Sequence, residues 1–248
     1  MAVVAVSLKM YFDRARTLDY CREVAARVGP VVGPALGVEA VVLPDHLSLA
    51  AAAEALLPAG VVLGAQDLCA QDRGPYTGEV SGADLADLGV RVVEVGHAER
   101  RSLFGESDAV VAAKTTAAVR NRLVPLLCVG EPTPGPASEA ADFCVAQLGS
   151  AVAELDPADT VWVAYEPVWA IGAPRPAPAE HVIEVCRALG RAVADRRDAR
   201  VLYGGSAGPG LLTELWPAVD GVFLGGSPMR WTPWSRWCRK RPRSKPES

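Results

Sequence analysis

Eight times along this chain, a short run of apolar and β-branched residues is followed by a stretch of helical length. The runs are VVAVSL at 3–8, VEAVVL at 38–43, GVVLGA at 60–65, VRVVEV at 90–95, LVPLLCVG at 123–130, TVWVAYE at 160–166, ARVLYGG at 199–205 and DGVFLGG at 220–226. They are near-continuously apolar rather than alternating, the pattern of strands buried on both faces in a parallel sheet with helical connections. Eight such units in 248 residues predict a single-domain α/β fold, a closed (β/α)8 barrel. A doubly wound open sheet is the runner-up, but no GxGxxG follows the first strand, where a dinucleotide fold would need it.

Composition adds limits. With 50% hydrophobic residues, the chain can bury a large core. Six cysteines at 21, 69, 128, 144, 186 and 238 form no CxxC pair and no metal-ligand spacing, so reduced, mostly buried thiols are expected. The start, MAVVAVSLKMYF, carries a Lys within a short apolar stretch and has neither the length nor the basic flank of a signal peptide or membrane anchor. A cytoplasmic protein is the expectation. The formal charge of −4 is uneven: residues 230–248 hold seven Lys/Arg against one Glu, leaving the rest at −10. That tail, RWTPWSRWCRKRPRSKPES, reads as a segment distinct from a domain over 1–229, suited either to docking its tryptophans or to meeting a polyanion.

In an eight-fold barrel, chemistry gathers where strands end and βα loops begin. Those positions hold Ser7, Lys9, Gln66, the stretch 94–101, the stretch 128–131, Glu166, the stretch 203–206, Gly225 and Gly226. Lys9 can steady a developing oxyanion. His97 opens a helix, whose amides favour a neutral imidazole able to donate to a carbonyl. Glu166 ends an apolar strand, where a carboxylate must either pair, with an Arg such as Arg100, or work. Two glycine-rich turns, YGGS at 203–206 and LGGSP at 224–228, suit an anion held by backbone amides. A base, an electrophile, a cation and a phosphate grip around one mouth describe proton abstraction beside a carbonyl in a small phosphorylated sugar.

The set VGHAERR, AYEPVWAIG, YGGS and LGGS, in this order and spacing, resembles the triosephosphate isomerase family over about 230 positions from SLKM onward. The family is itself the standard worked case for the roles that follow, so they are what the resemblance implies. The fold would be a TIM barrel. Glu166 would be the base, His97 the neutral electrophile and Lys9 the cation that stabilises the enediolate, with Ser7 and Glu99 supporting. The substrate phosphate would lie on Gly172, Ser206, Gly225 and Gly226. Pro167, Val168 and Trp169 would hinge a lid whose tip runs from Ala170 and Ile171 to Gly172. The loop GPYTGEVS at 74–81, around Tyr76, Thr77 and Gly78, would enter a second subunit, with Gln66 in the same interface region, implying a homodimer. No metal and no organic cofactor are implied, and neither a membrane nor nucleic acid is an expected partner.

Some positions depart from that family's pattern. Ser7 stands where Asn is usual, Ala98 where Ser is usual, and the far side of the lid reads APRPA at 173–177. Beyond Met229 the family's last helix is not recognisable. Ser7 also resembles the branch that isomerises tetrulose phosphates. The main expectation is interconversion of dihydroxyacetone phosphate and glyceraldehyde 3-phosphate, the alternative an erythrulose phosphate isomerase, and the lesser alternative a non-catalytic phosphate-binding relative.

Overall fold

The computed structural model describes residues 1–173, 176–205 and 210–225. Eight strands, β1 (Ala2–Ser7), β2 (Val38–Leu43), β3 (Val62–Ala65), β4 (Val92–Val95), β5 (Val124–Val129), β6 (Trp162–Tyr165), β7 (Arg200–Tyr203) and β8 (Gly221–Gly225), pair in parallel and in sequence order. The ring closes where β1 pairs with β8, Val3 opposite Gly221 and Ser7 opposite Gly225. The closed barrel replaces the open-sheet alternative. Each predicted apolar run contains one strand.

Helices α1 (Arg14–Arg27), α2 (Leu49–Leu56), α3 (Gly82–Asp87), α4 (Ala98–Leu103), α5 (Asp108–Arg120), α6 (Ala137–Ala151), α7 (Ala179–Ala192) and α8 (Leu211–Leu215) follow the strands. Their starts are written in the sequence: Asp13 accepts from the Arg16 amide at 2.8 Å ahead of α1, and Ser107 caps α5. These side chains satisfy amides that the first helical turn leaves without a partner.

Successive strand residues face opposite sides, and here both sides are buried. Val3, Ala5, Val41, Leu43, Val92, Leu126, Trp162 and Phe223 fill the barrel's interior. Their neighbours, such as Val4, Val6, Val42, Val93, Leu127 and Val163, pack outward under the helices. That double burial explains why the strands read as continuous apolar runs. Among the described residues no helix is long and apolar enough to cross a membrane.

A buried ion cluster joins β3 to the helices after β4. Lys114 Nζ lies 2.7 Å from both carboxylate oxygens of Asp67 and 2.6 Å from Glu106 Oε1. Arg100 Nε reaches the same two acids at 2.8 and 2.6 Å. Removing one partner of such a cluster strands charge away from water. Lys114→Met is therefore expected to lower unfolding stability by about 3–5 kcal/mol, read from denaturant midpoints at pH 7.

Candidate active site

The inward alternation that builds the core continues past its apolar layers. On β1 it runs Val3, Ala5, Ser7 and on to Lys9; on β4, Val92 and Glu94; on β6, Trp162, Ala164 and then Glu166. One end of the barrel is thus lined by polar side chains that the strand period aims at each other.

Lys9 adopts a left-handed backbone, φ 48°, a conformation a side-chain-bearing residue enters at a cost and holds only when its surroundings fix it. Gln66 helps to fix it. Its Nε2 donates to the Lys9 carbonyl at 3.1 Å and to the Leu43 carbonyl at 3.0 Å, so the residue expected near a subunit interface braces the lysine of its own chain. Lys9 Nζ lies 2.7 Å from Glu99 Oε1. Burial works against the ammonium, but the Glu99 carboxylate outweighs it and holds the pKa above the ordinary value.

His97 caps α4 with its ring: the Glu99 amide donates to Nδ1 at 3.1 Å. A nitrogen that accepts carries no proton, so the proton of the neutral ring sits on Nε2. That nitrogen faces Glu166 Oε2 at 3.5 Å and Glu94 Oε1 at 3.8 Å. Burial, helped by the charges of Lys9 and Arg100, depresses the imidazole to about 4. The ring is a neutral donor at physiological pH.

Glu166 is buried at the end of β6, its amide bonded to the Val129 carbonyl at 2.8 Å. Burial raises its pKa to about 8, against the pull of Lys9 and the Cys128 thiol. Arg100, the partner weighed for it, is engaged with Asp67 and Glu106, and among the described residues no arginine is paired with this carboxylate. Two glycines make its seat. A Cβ on Gly130 would stand 1.9 Å from the Glu166 carbonyl oxygen, and one on Gly204 would stand 2.6 Å from its Cγ.

Ser7 donates to Glu94 Oε2 at 3.0 Å. Glu94 lay among the strand-end positions, yet the sequence assigned it no role; its signal was the inward parity it shares with Val92. Burial first, then the charge of Glu166, keeps its carboxyl well above the usual range. Ala98, lacking a hydroxyl, borders a small cavity with Arg101, Gln147 and Glu166.

The lid segment starts at Pro167 and forms a tight turn over Val168–Ala170, with Ile171 and Gly172 exposed. Its anchor is Glu131. The Val168 amide donates to the Glu131 carbonyl at 3.1 Å, and Glu131 Oε1 accepts from Trp169 Nε1 at 2.6 Å and from the Tyr165 hydroxyl at 3.1 Å. His181 Nε2, on α7, lies 3.3 Å from that oxygen and 3.0 Å from the Tyr165 hydroxyl. Neither Glu131 nor His181 was singled out as part of the lid. Nothing local marks them, because the contact joins segments 50 residues apart.

Of the expected phosphate cradle, Gly225 abuts Lys9, where a Cβ would come 3.0 Å from Cε, and Gly172 sits on the exposed lid tip. Ser206 and Gly226 lie outside the described residues, as do Pro174 and the tail 230–248. The Tyr76–Gly78 loop is exposed. Among the described residues no group of His, Cys, Asp and Glu is placed to hold a metal ion.

A family model described as triosephosphate isomerase matches residues 2–239. The L-erythrulose-1-phosphate isomerase of Pectobacterium atrosepticum is 46% identical over 90% of this chain and 88% of its own. The triosephosphate isomerase of Deinococcus radiodurans is 41% identical over 90% and 93%. That of Moorella thermoacetica is 39% identical over 91% and 92%.

The raised pKa of Glu166 carries a stability cost with a defined sign. Between the ordinary 4.5 and about 8, the folded state keeps a proton that the unfolded state has lost, so this residue's contribution to stability falls as pH rises through that window. Glu166→Gln cannot titrate. The variant is expected to melt above wild type at pH 9 and level with it at pH 4.5, by thermal denaturation.

Proposed function

Because the chain belongs to the triosephosphate isomerase family, we propose that it isomerises a small ketose phosphate through an enediolate, the first reading being interconversion of dihydroxyacetone phosphate and glyceraldehyde 3-phosphate. The observation that carries this reading is the meeting of His97 Nε2 with Glu166 Oε2 at 3.5 Å, beside Lys9. Glu166 takes the proton from the carbon next to the carbonyl. His97, neutral and protonated on Nε2, donates to the carbonyl oxygen as charge gathers there, and the Lys9 ammonium stabilises that charge. Glu166 then returns the proton to the adjacent carbon. A base with a pKa of about 8 accepts and releases the proton near neutral pH with little driving force wasted in either direction.

Glu99 holds Lys9 in place, and the backbone amides of Gly172, Ser206, Gly225 and Gly226 bind the phosphate. The lid from Pro167 to Gly172 closes over the reacting carbons, excluding water that would weaken the base and let the enediolate shed its phosphate. A second reading, isomerisation of an erythrulose phosphate, is favoured by the short Ser7 side chain and by the likeness to the Pectobacterium enzyme. It needs the same proton transfer, with a hydroxymethyl group on the carbon remote from the phosphate. Residues 1–229 form the catalytic unit and 230–248 a separate basic segment. The five described cysteines are free and buried, which fits a cytoplasmic setting.

Wild type should turn over a three- or four-carbon ketose phosphate. Glu166→Asp, which withdraws the carboxylate by about 1 Å, should lower kcat by about 10²-fold with a smaller effect on KM. Wild type inert on both sugars would end the isomerase reading.

The chain also acts as a homodimer in this reading. Met10 and Leu47 are 91% and 86% exposed, and Tyr76, Leu103 and Phe104 are exposed too, all in the segments that follow β1 to β4. An apolar set of this kind on one side of a barrel calls for a covering surface. Tyr76→Glu should halve the mass measured by light scattering on a sizing column, whereas an unchanged mass would remove this loop from the interface.

A further inference from the structure

Ser7 and Glu94 form a floor under the catalytic mouth. Each stands one inward-facing step, about 6.6 Å along its strand, before Lys9 and Gly96 respectively. Strands β1 and β4 are not neighbours in the ring, so the 3.0 Å bond from Ser7 Oγ to Glu94 Oε2 crosses the barrel's interior. Beneath it the interior is apolar and closed by Ala5, Val92 and Leu126. The second oxygen of Glu94, Oε1, lies 3.8 Å from His97 Nε2, beyond hydrogen-bond range. Ser7 engages the other oxygen, Oε2, so Oε1 is not held by that bond.

The proton transfer described above makes no use of Glu94. Glu166 is its base, His97 its donor and Lys9 its cation, yet a carboxyl has been buried within 4 Å of the reacting residues. A carboxyl oxygen that lies outside hydrogen-bond range of the ring is able to bond a ligand. Burial first, then the neighbouring Glu166 charge, raises the Glu94 carboxyl well above its ordinary value, toward the protonated form. A neutral carboxyl both donates and accepts, which matches the two-way hydrogen bonding of an alcohol.

We propose that the Ser7 and Glu94 pair reads a hydroxyl on the substrate carbon beyond the reacting pair, on the side remote from the phosphate, and so selects a four-carbon ketose phosphate over a three-carbon one. The inference rests on the isomerase reading and decides between its two substrates. With the phosphate at the rim and the carbonyl between His97 and Lys9, the remaining end of the sugar points at this floor. A triose ends before it and leaves Glu94 Oε1 without a partner. A tetrulose places its terminal hydroxyl there. The apolar layer below leaves no polar partner for a fifth carbon's hydroxyl. Sites built to bond a hydroxyl reject analogues lacking it by factors of up to about 10⁴–10⁵; with Ser7 already satisfying one oxygen, a preference of about 10²-fold is expected here.

The test compares Glu94→Leu and Glu94→Gln with wild type in two ways. The first is the ratio of kcat/KM for erythrulose 1-phosphate over dihydroxyacetone phosphate. The second needs no turnover: the ratio of calorimetric Kd values for the unreactive polyols glycerol 3-phosphate and erythritol 4-phosphate. Replacing a buried acid by an apolar residue of similar volume does not threaten folding. Wild type should favour the four-carbon ligand in both ratios, Glu94→Leu should reduce each by about 10²-fold, and Glu94→Gln, which keeps a donor and an acceptor, should restore part of the loss. Ratios that stay within twofold of wild type in Glu94→Leu would overturn the proposal, as would a wild-type preference for the three-carbon ligands. Wild type that binds the polyols with the expected ratio but turns over neither sugar would sink the isomerase reading alone.

Discussion

The structure turns on a carboxylate kept dry. Glu166 is buried at the mouth of the barrel with no cation of its own among the described residues, since Lys9 is paired at 2.7 Å with Glu99 and Arg100 with Asp67 and Glu106. Desolvation therefore governs its basicity. The surroundings enforce that state by leaving no slack: a side chain on Gly130 or Gly204 would collide with the Glu166 backbone or its Cγ. Those glycines serve the position of the glutamate, and their turns follow from it. A protein that holds a base in this way gives up stability for reactivity, the usual bargain at a catalytic site.

The same burial sets the protonation of the neighbours. Three glutamates, 94, 99 and 166, share one lysine and one imidazole within a few ångströms. In a site of low polarity burial disfavours the ionised form, so the carboxyls of Glu94 and Glu166 are both pushed upward, Glu166 to about 8. His97 responds in the opposite sense. Its Nδ1 is occupied by the Glu99 amide and its charge is opposed by burial and by Lys9, so it stays neutral and offers the Nε2 proton. The order of elements makes this possible: β4 ends, one glycine turns the chain, and the histidine ring takes the cap of α4.

What the sequence made legible is what local periodicity encodes. The strands could be read because two-sided burial writes continuous apolar runs, and Lys9, His97 and Glu166 because they interrupt such runs at the end where βα loops converge. Glu94 was harder, since its meaning comes from Ser7, 87 residues away and across the interior. Gln66 was expected in the subunit-interface region, and nothing in its local sequence tells of its bond to the Lys9 carbonyl. The Lys114 cluster and the contact of His181 with Glu131 are likewise products of closure, in which residues from distant segments meet only once the ring is complete. No local pattern distinguishes a lysine in the middle of α5 from its solvated counterparts.

The lid shows how such long-range contacts enter the chemistry. Trp169 can only donate through its indole nitrogen and the Glu131 carboxylate can only accept, so the 2.6 Å contact between them fixes the start of the lid relative to β5 and β6. His181 Nε2 faces the same carboxylate oxygen at 3.3 Å; a bare nitrogen there would oppose lone pair to lone pair, so this ring too carries its proton on Nε2 and reinforces the anchor through the Tyr165 hydroxyl. Around and beyond that anchor the segment holds apolar side chains in solvent, with Val168 and Ile171 at 37% and 36% exposure. A segment fixed at one end and exposing apolar surface at the other gains hydrophobic free energy when it folds onto the mouth. In the isomerase reading proposed above, such closure would remove the remaining water from Glu166, so that the movement enclosing the sugar would also complete the base that acts on it.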